Sequence, residues 1–219
     1  MGTSNGMLQV WRDYGCISEE KRHEGALLTI TCNNLFLLTG GSDGLICIFS
    51  VNYTLINKID IMDITRTPFD PQVKSIATCT GSTNFAAMLR SGEIIDITCS
   101  DVKVVNNSEY KGEQIRASHF NLTKNKISRL TGLASLNQSS GFITCSEDGV
   151  VMIWNCEEPW SSQSISLDVD HLGLNIVQDG NKEKQKNQLV CMDVSPNDYF
   201  VAVGTANGQI KVIFFKTYK

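Results

Sequence analysis

The chain has 219 residues, 42% of them hydrophobic and 19% charged, with a net charge of −4 and a pI near 5.4. That is enough apolar material for a core and too much for a disordered chain, while the acidic balance argues against a general nucleic-acid binder, which would be basic. No run of 18 apolar residues offers a membrane span, and the first fifteen residues lack the basic start and apolar stretch of a secretory signal.

Strand signals dominate, and no segment has a convincing helical period. Residues 7–12 read as a strand, followed by a candidate strand at 15–19. Residues 26–32, 35–40, 45–51 and 53–62 then read as four antiparallel strands, with Ser42-Asp43-Gly44 as the turn between the second and third. Glycine supplies the positive φ there, and Asp bonds to local backbone. A second set runs from Val73 to about Asn106, its fourth strand expected over 101–106 (DVKVVN). A third spans Leu130 to Val169, and a fourth covers Gln188 to Phe215 without a fourth strand. Extra length falls in two connections, about 107–129 and 170–187, and such connections are usually functional or disordered.

One short pattern recurs at fixed offsets. Gly6, Gly44, Gly92, Gly149 and Gly208 each stand five positions before a bulky residue: Trp11, Phe49, Ile97, Trp154 and Ile213. A repeat of this kind means a repeat architecture, here a series of β-propeller blades. The boundaries read as 1–22 (partial), 23–65, 73–106, 119–169 and 188–219 (partial). The fold class is therefore all-β, a propeller with about four blades and part of a fifth. An open array leaves an uncovered blade face at each end, so a fragment of a longer protein is expected, or closure with segments of another copy.

Eight cysteines (16, 32, 47, 79, 99, 145, 156 and 191) fall mostly in expected strands and read as small buried hydrophobes. They form no C-x-x-C pair, so no zinc site is expected; a reducing compartment without disulfides is. The sequons at Asn52, Asn106, Asn121 and Asn137 read as chance in an Asn-rich chain. Asp168, Asp170 and His171 (DVDH) offer one His and strand-edge spacing, which reads as a solvated loop rather than a metal site. No cofactor motif is present.

His23, Thr39, Asp43 and the bulky Phe49 follow one another in the first full blade; His119, Thr144, Asp148 and Trp154 do so in the third. A His beside an Asp could be an acid/base pair, but nothing else converges on it, so the structural reading is preferred and no enzyme is expected. The second and fourth blades have Ser91 and Asn207 at the Asp position and are expected to rely on packing alone. The insertion 111–129 carries Lys111, Arg116, Lys124, Lys126 and Arg129 against one acid, Glu113. It reads as a solvated loop, or as a surface for an acidic partner.

These sets resemble the WD40 repeat, in which a His, a Ser/Thr, an Asp and a Trp form a hydrogen-bonded chain locking three strands. A narrower resemblance is to the echinoderm microtubule-associated-protein-like family. It rests on His23-Glu24-Gly25, Gly40–Gly44 before Phe49, Val73-Lys74-Ser75-Ile76 and Gly92-Glu93-Ile94-Ile95. Further along it rests on Leu130–Leu133, Phe142–Cys145, and Val203-Gly204-Thr205 before Gly208. Thr131 departs from that family's Trp, and its hydrophobic N-terminal motif is absent. The resemblance implies a non-catalytic scaffold that binds tubulin or microtubules in the cytoplasm and cytoskeleton. The alternative is a generic WD40 adaptor in another cytoplasmic or ciliary complex. Neither implies a nucleic-acid or membrane partner.

Overall fold

A computed structural model of the chain describes residues 1–64, 70–78, 83–99, 110–115, 119–121, 126–138, 141–155, 167–168 and 188–214. They fall into two units, Met1–Ala117 and Ser118–Lys219. The first opens with β1 (Met7–Arg12) and β2 (Gly15–Lys21), an antiparallel pair joined by a tight turn in which Asp13 and Tyr14 both take positive φ. A four-stranded sheet follows in sequence order: β3 (Leu27–Cys32), β4 (Phe36–Gly41), β5 (Leu45–Ser50) and β6 (Leu55–Asp60). The next sheet has the same order: β7 (Val73–Thr78), β8 (Phe85–Leu89), β9 (Ile94–Cys99) and β10 (Tyr110–Ile115).

The second unit begins with the short pair β11 (His119–Asn121) and β12 (Lys126–Ser128). It continues with the sheet β13 (Leu130–Ser135), β14 (Gly141–Ser146), β15 (Val150–Asn155) and β16 (Leu167–Asp168). The described part ends with a three-stranded sheet, β17 (Leu189–Val194), β18 (Phe200–Thr205) and β19 (Ile210–Phe214).

Two local features set each sheet. Gly44 turns the chain from β4 into β5 at φ 80, with its N–H on Gly41 O at 3.3 Å. A side chain would be strained there, and Gly6, Gly92, Gly149 and Gly208 repeat the conformation. The pairing of first and second strands then shifts by one residue in the same place in all four sheets, between Leu27/Thr29, Val73/Ser75, Leu130/Gly132 and Leu189/Cys191. Such a bulge sharpens the local twist.

Both faces of the third strand β5 are buried, for different neighbours. In the first unit Ile46 and Ile48 pack in one cluster with Val73, Ile76, Ala87, Leu89, Ile95 and Ile97 of the next sheet. Cys47 and Phe49, pointing the other way, pack with Leu8 of β1 and Leu27. In the second unit Val151 joins Leu189, Val201, Val203 and Ile213 in the same fashion. Each such aliphatic side chain stabilises by about 1.5–3 kcal/mol, so most of a sheet's stability is shared with its neighbours.

Four expectations change. The strand beside β9 is Tyr110–Ile115, not 101–106; the latter lie outside the described residues. The segment 111–129 is accordingly not one loop: Lys111 sits on β10 and Lys126 on β12. The run 53–62 ends early, in one helical turn, α1 (Ile61–Ile64), where the Asp60 carboxylate accepts the Met62 N–H at 2.9 Å. Cys47 and Cys145 are buried, but Cys16, Cys32 and Cys191 are exposed, because they fall on strand positions that face solvent.

Candidate functional site

The most developed polar cluster is built around His23, which precedes β3. The residue is 1% exposed, and its backbone N–H donates to Gly6 O at 3.2 Å. Nδ1 lies 3.0 Å from Asp43 Oδ1 and Nε2 lies 2.8 Å from Thr39 Oγ1. An ionised carboxylate only accepts, so Nδ1 carries the proton; in a neutral ring Nε2 then accepts the Thr39 hydroxyl proton. Asp43 also accepts the N–H of Glu24 at 2.8 Å and of Leu45 at 3.2 Å. The cluster thus ties the segment before β3, the strand β4 and the β4–β5 turn together. Gly41 leaves it room: a Cβ there would stand 2.3 Å from both Asp43 Oδ1 and His23 Nδ1.

Burial, the largest single influence on Asp43, opposes ionisation. The bonds from His23 and from the N–H groups of Leu45 and Glu24 together outweigh it, and the carboxyl lies below its ordinary value. Phe49 stands where an indole would continue the chain of bonds. It has no N–H, and the Arg22 guanidinium lies 5.6 Å from its ring centroid instead. The neighbouring Cys47 thiol is pushed above its ordinary value by burial.

In the second unit Trp154 Nε1 donates to Thr144 Oγ1 at 2.9 Å, and its ring stacks on Phe142 with centroids 6.0 Å apart. Asp148 accepts from the Ser146 hydroxyl in the following turn. His119 lies on β11, paired with Ser128, and its side chain falls outside what is described, as do the side chains of Lys111 and Lys126. Arg116, Lys124, Asp170 and His171 also lie outside the described residues. Arg129 is about half exposed and sits 3.6 Å from Glu147. Among the described residues no group of His, Cys, Asp and Glu has the arrangement of a metal site.

One buried group had no signal in the repeat pattern. Asp198, 0% exposed and at φ 56, accepts the Asn137 N–H at 2.8 Å and the Gln138 N–H at 2.6 Å, and the Asn137 amide at 3.3 Å. It joins the β17–β18 turn to the β13–β14 connection, one sheet to the next. The Asn197-Asp198 pair is the only hint in the sequence, since both residues tolerate the left-handed conformation. The fourth blade does not rest on packing alone either: the Thr205 hydroxyl donates to Asn207 in its turn and accepts the Gln209 N–H at 3.1 Å.

The family model for the WD domain, G-beta repeat (WD40) matches residues 119–155 and 180–213. No curated protein matches the chain. Among solved structures, the crystal structure of the Cps50 (Swd1) β-propeller domain from Myceliophteria thermophila is similar, with a TM-score of 0.70 at 10% identity. The likeness covers 99% of this chain and 61% of that one, so the chain spans about three fifths of the propeller it resembles. Two WD40 repeats, the sheets described above and this likeness give the fold class: a WD40-type β-propeller.

Proposed function

We propose that the chain is a non-catalytic scaffold for protein partners and that it binds the acidic tails of tubulin. The first half rests on the fold and on the state of its one described histidine side chain. His23 has the partly buried Asp43 carboxylate on one ring nitrogen and the Thr39 hydroxyl on the other, and both the ring and that hydroxyl are closed to solvent. A pair that could serve as acid and base is thereby engaged in holding strands together.

The second half rests on charge and on the resemblance of blade order to the echinoderm microtubule-associated-protein-like family. The comparisons reach the WD40 repeat and stop there. Lys111, Arg116, Lys124, Lys126 and Arg129 cluster in sequence on an otherwise acidic chain. Arg129 keeps about half of its side chain in solvent.

Co-pelleting with assembled microtubules, with and without the acidic tails, tests this reading. Binding that disappears with the tails supports it. A folded sample that stays in the supernatant with intact microtubules at low salt refutes the tubulin half and leaves a scaffold for a different protein.

A further inference from the structure

The pair β11–β12 lies in the interior of the chain, between β10 and β13 in sequence, and forms a sheet of its own. His119 pairs with Ser128, Phe120 with Ile127 and Asn121 with Lys126. The sheet that follows runs from β13 to β16 and does not include it. Among the described residues no third strand pairs with β12. One edge of β12 therefore offers its backbone to whatever strand comes alongside. The strand is fastened just past its end, where the Arg129 carbonyl accepts the Glu147 N–H of the β14–β15 turn at 3.0 Å.

A two-stranded hairpin is at best marginally stable in water, and a third strand adds both ladder bonds and order. An extended segment of another chain can supply that strand. The local sequence decides which segment fits. From His119 to Arg129 the chain carries Lys124, Lys126 and Arg129 and no acidic residue. These cations lie on or beside β12, whereas β11 holds no Lys or Arg. Glu147, 3.6 Å from Arg129, answers part of that charge, so the two lysines supply most of the attraction. Lysine on an edge repels a second copy of the same edge and admits an acidic strand.

We propose that β12 takes an acidic, extended peptide as an added strand, drawn in by the charge of Lys124 and Lys126 and held by main-chain hydrogen bonds along the open edge. The inference rests on the reading above that the partner is acidic, and adds the place and the form of binding. A cloud of positive charge would hold an acidic tail in any conformation. A strand edge demands that the tail be extended and that its own N–H groups be available. The charge term fades as salt rises, while ladder bonds are little screened, so the binding that persists at moderate salt belongs to the backbone.

Fluorescence anisotropy of a labelled glutamate-rich peptide with the 219-residue chain tests this. The peptide should bind. The same peptide N-methylated along its length keeps every carboxylate and loses its N–H donors, and should bind about tenfold or more weakly. A glutamine counterpart should also bind weakly. On addition of the unmodified peptide, amide exchange should slow within residues 119–128. These comparisons alter the peptide and not the protein, so misfolding does not enter them. Lys124→Gln with Lys126→Gln should weaken binding about fivefold at low salt, with an unchanged circular dichroism spectrum. Equal binding of the methylated and unmodified peptides, or protection found only in other segments, overturns the added strand and leaves the acidic partner standing. Glutamine binding as tightly as glutamate overturns the selection by charge. If the unmodified peptide does not bind at all, both readings fall.

Discussion

Both ring nitrogens of His23 are engaged, so the cluster tolerates little trimming. Asp43→Ala deprives His23 Nδ1 and the N–H groups of Glu24 and Leu45 of their acceptor. A buried donor left unsatisfied costs about 1–3 kcal/mol, and the sum should reach about 2–4 kcal/mol. A lower urea midpoint at constant slope would show it. The pH dependence has a definite sign. Asp43 is held below its ordinary value in the folded chain, so the unfolded chain binds that proton more tightly. Its stabilising contribution is complete above the ordinary aspartate value, about 3.9, and is lost as the pH falls through the lower folded value. Urea melts at descending pH should therefore show the gap between parent and Asp43→Asn closing over that interval. Trp154 gives a second case. Thr144→Val strands a buried indole N–H and should cost about 1–3 kcal/mol, whereas adding Trp154→Phe should cost less than the two changes summed. Phe49 shows that a blade holds with no indole there. The offsets from turn glycine to Asp, Thr and bulky residue made His23, Thr39, Asp43, Thr144 and Trp154 readable in the sequence. Asp198 was not readable, because its donors lie about 60 positions away and only the register of two sheets brings them together.

At the level of strands, legibility follows the turn. Wherever Gly44 or its counterparts fix a turn, the strands on either side fall at the expected places, because positive φ leaves few residue choices. The outermost strands have no such anchor. DVKVVN alternates better than Tyr110–Ile115, yet the latter pairs with β9 from Ile94 to Cys99. An edge strand is chosen by what its one partner and the sheet beneath accept, and a local pattern does not encode that. Asp198 belongs to this scale as well, since it fastens the β17–β18 turn to the β13–β14 connection. Asp198→Ala should cost about 2–4 kcal/mol, and Asp198→Asn less, because Asn keeps one acceptor and accommodates φ 56. Amide exchange should quicken first at Asn137 and Gln138 and then along β13 and β17. Exchange confined to the β17–β18 turn would contradict that bridging role.

Across the whole molecule, charge and sheet order govern separate properties. Arg129 keeps about half of its side chain in solvent, so reversing its charge should change association and leave folding alone. Lys124→Glu, Lys126→Glu and Arg129→Glu together should weaken binding to tubulin tails about tenfold or more at low salt and flatten its dependence on ionic strength. Pelleting that is unchanged at every salt concentration would set the charge argument aside. The exchange of Trp154 for Phe49 between two otherwise matched blades has an optical consequence. The indole of Trp154 is 8% exposed, stacked and hydrogen-bonded, whereas Trp11 is 51% exposed. With Trp11 and Trp160 replaced by Phe, all indole emission comes from Ser118–Lys219, and Met1–Ala117 is dark. Red-shifted light on heating would then time the opening of one unit, and Phe49→Trp in a Trp154→Phe background would time the other.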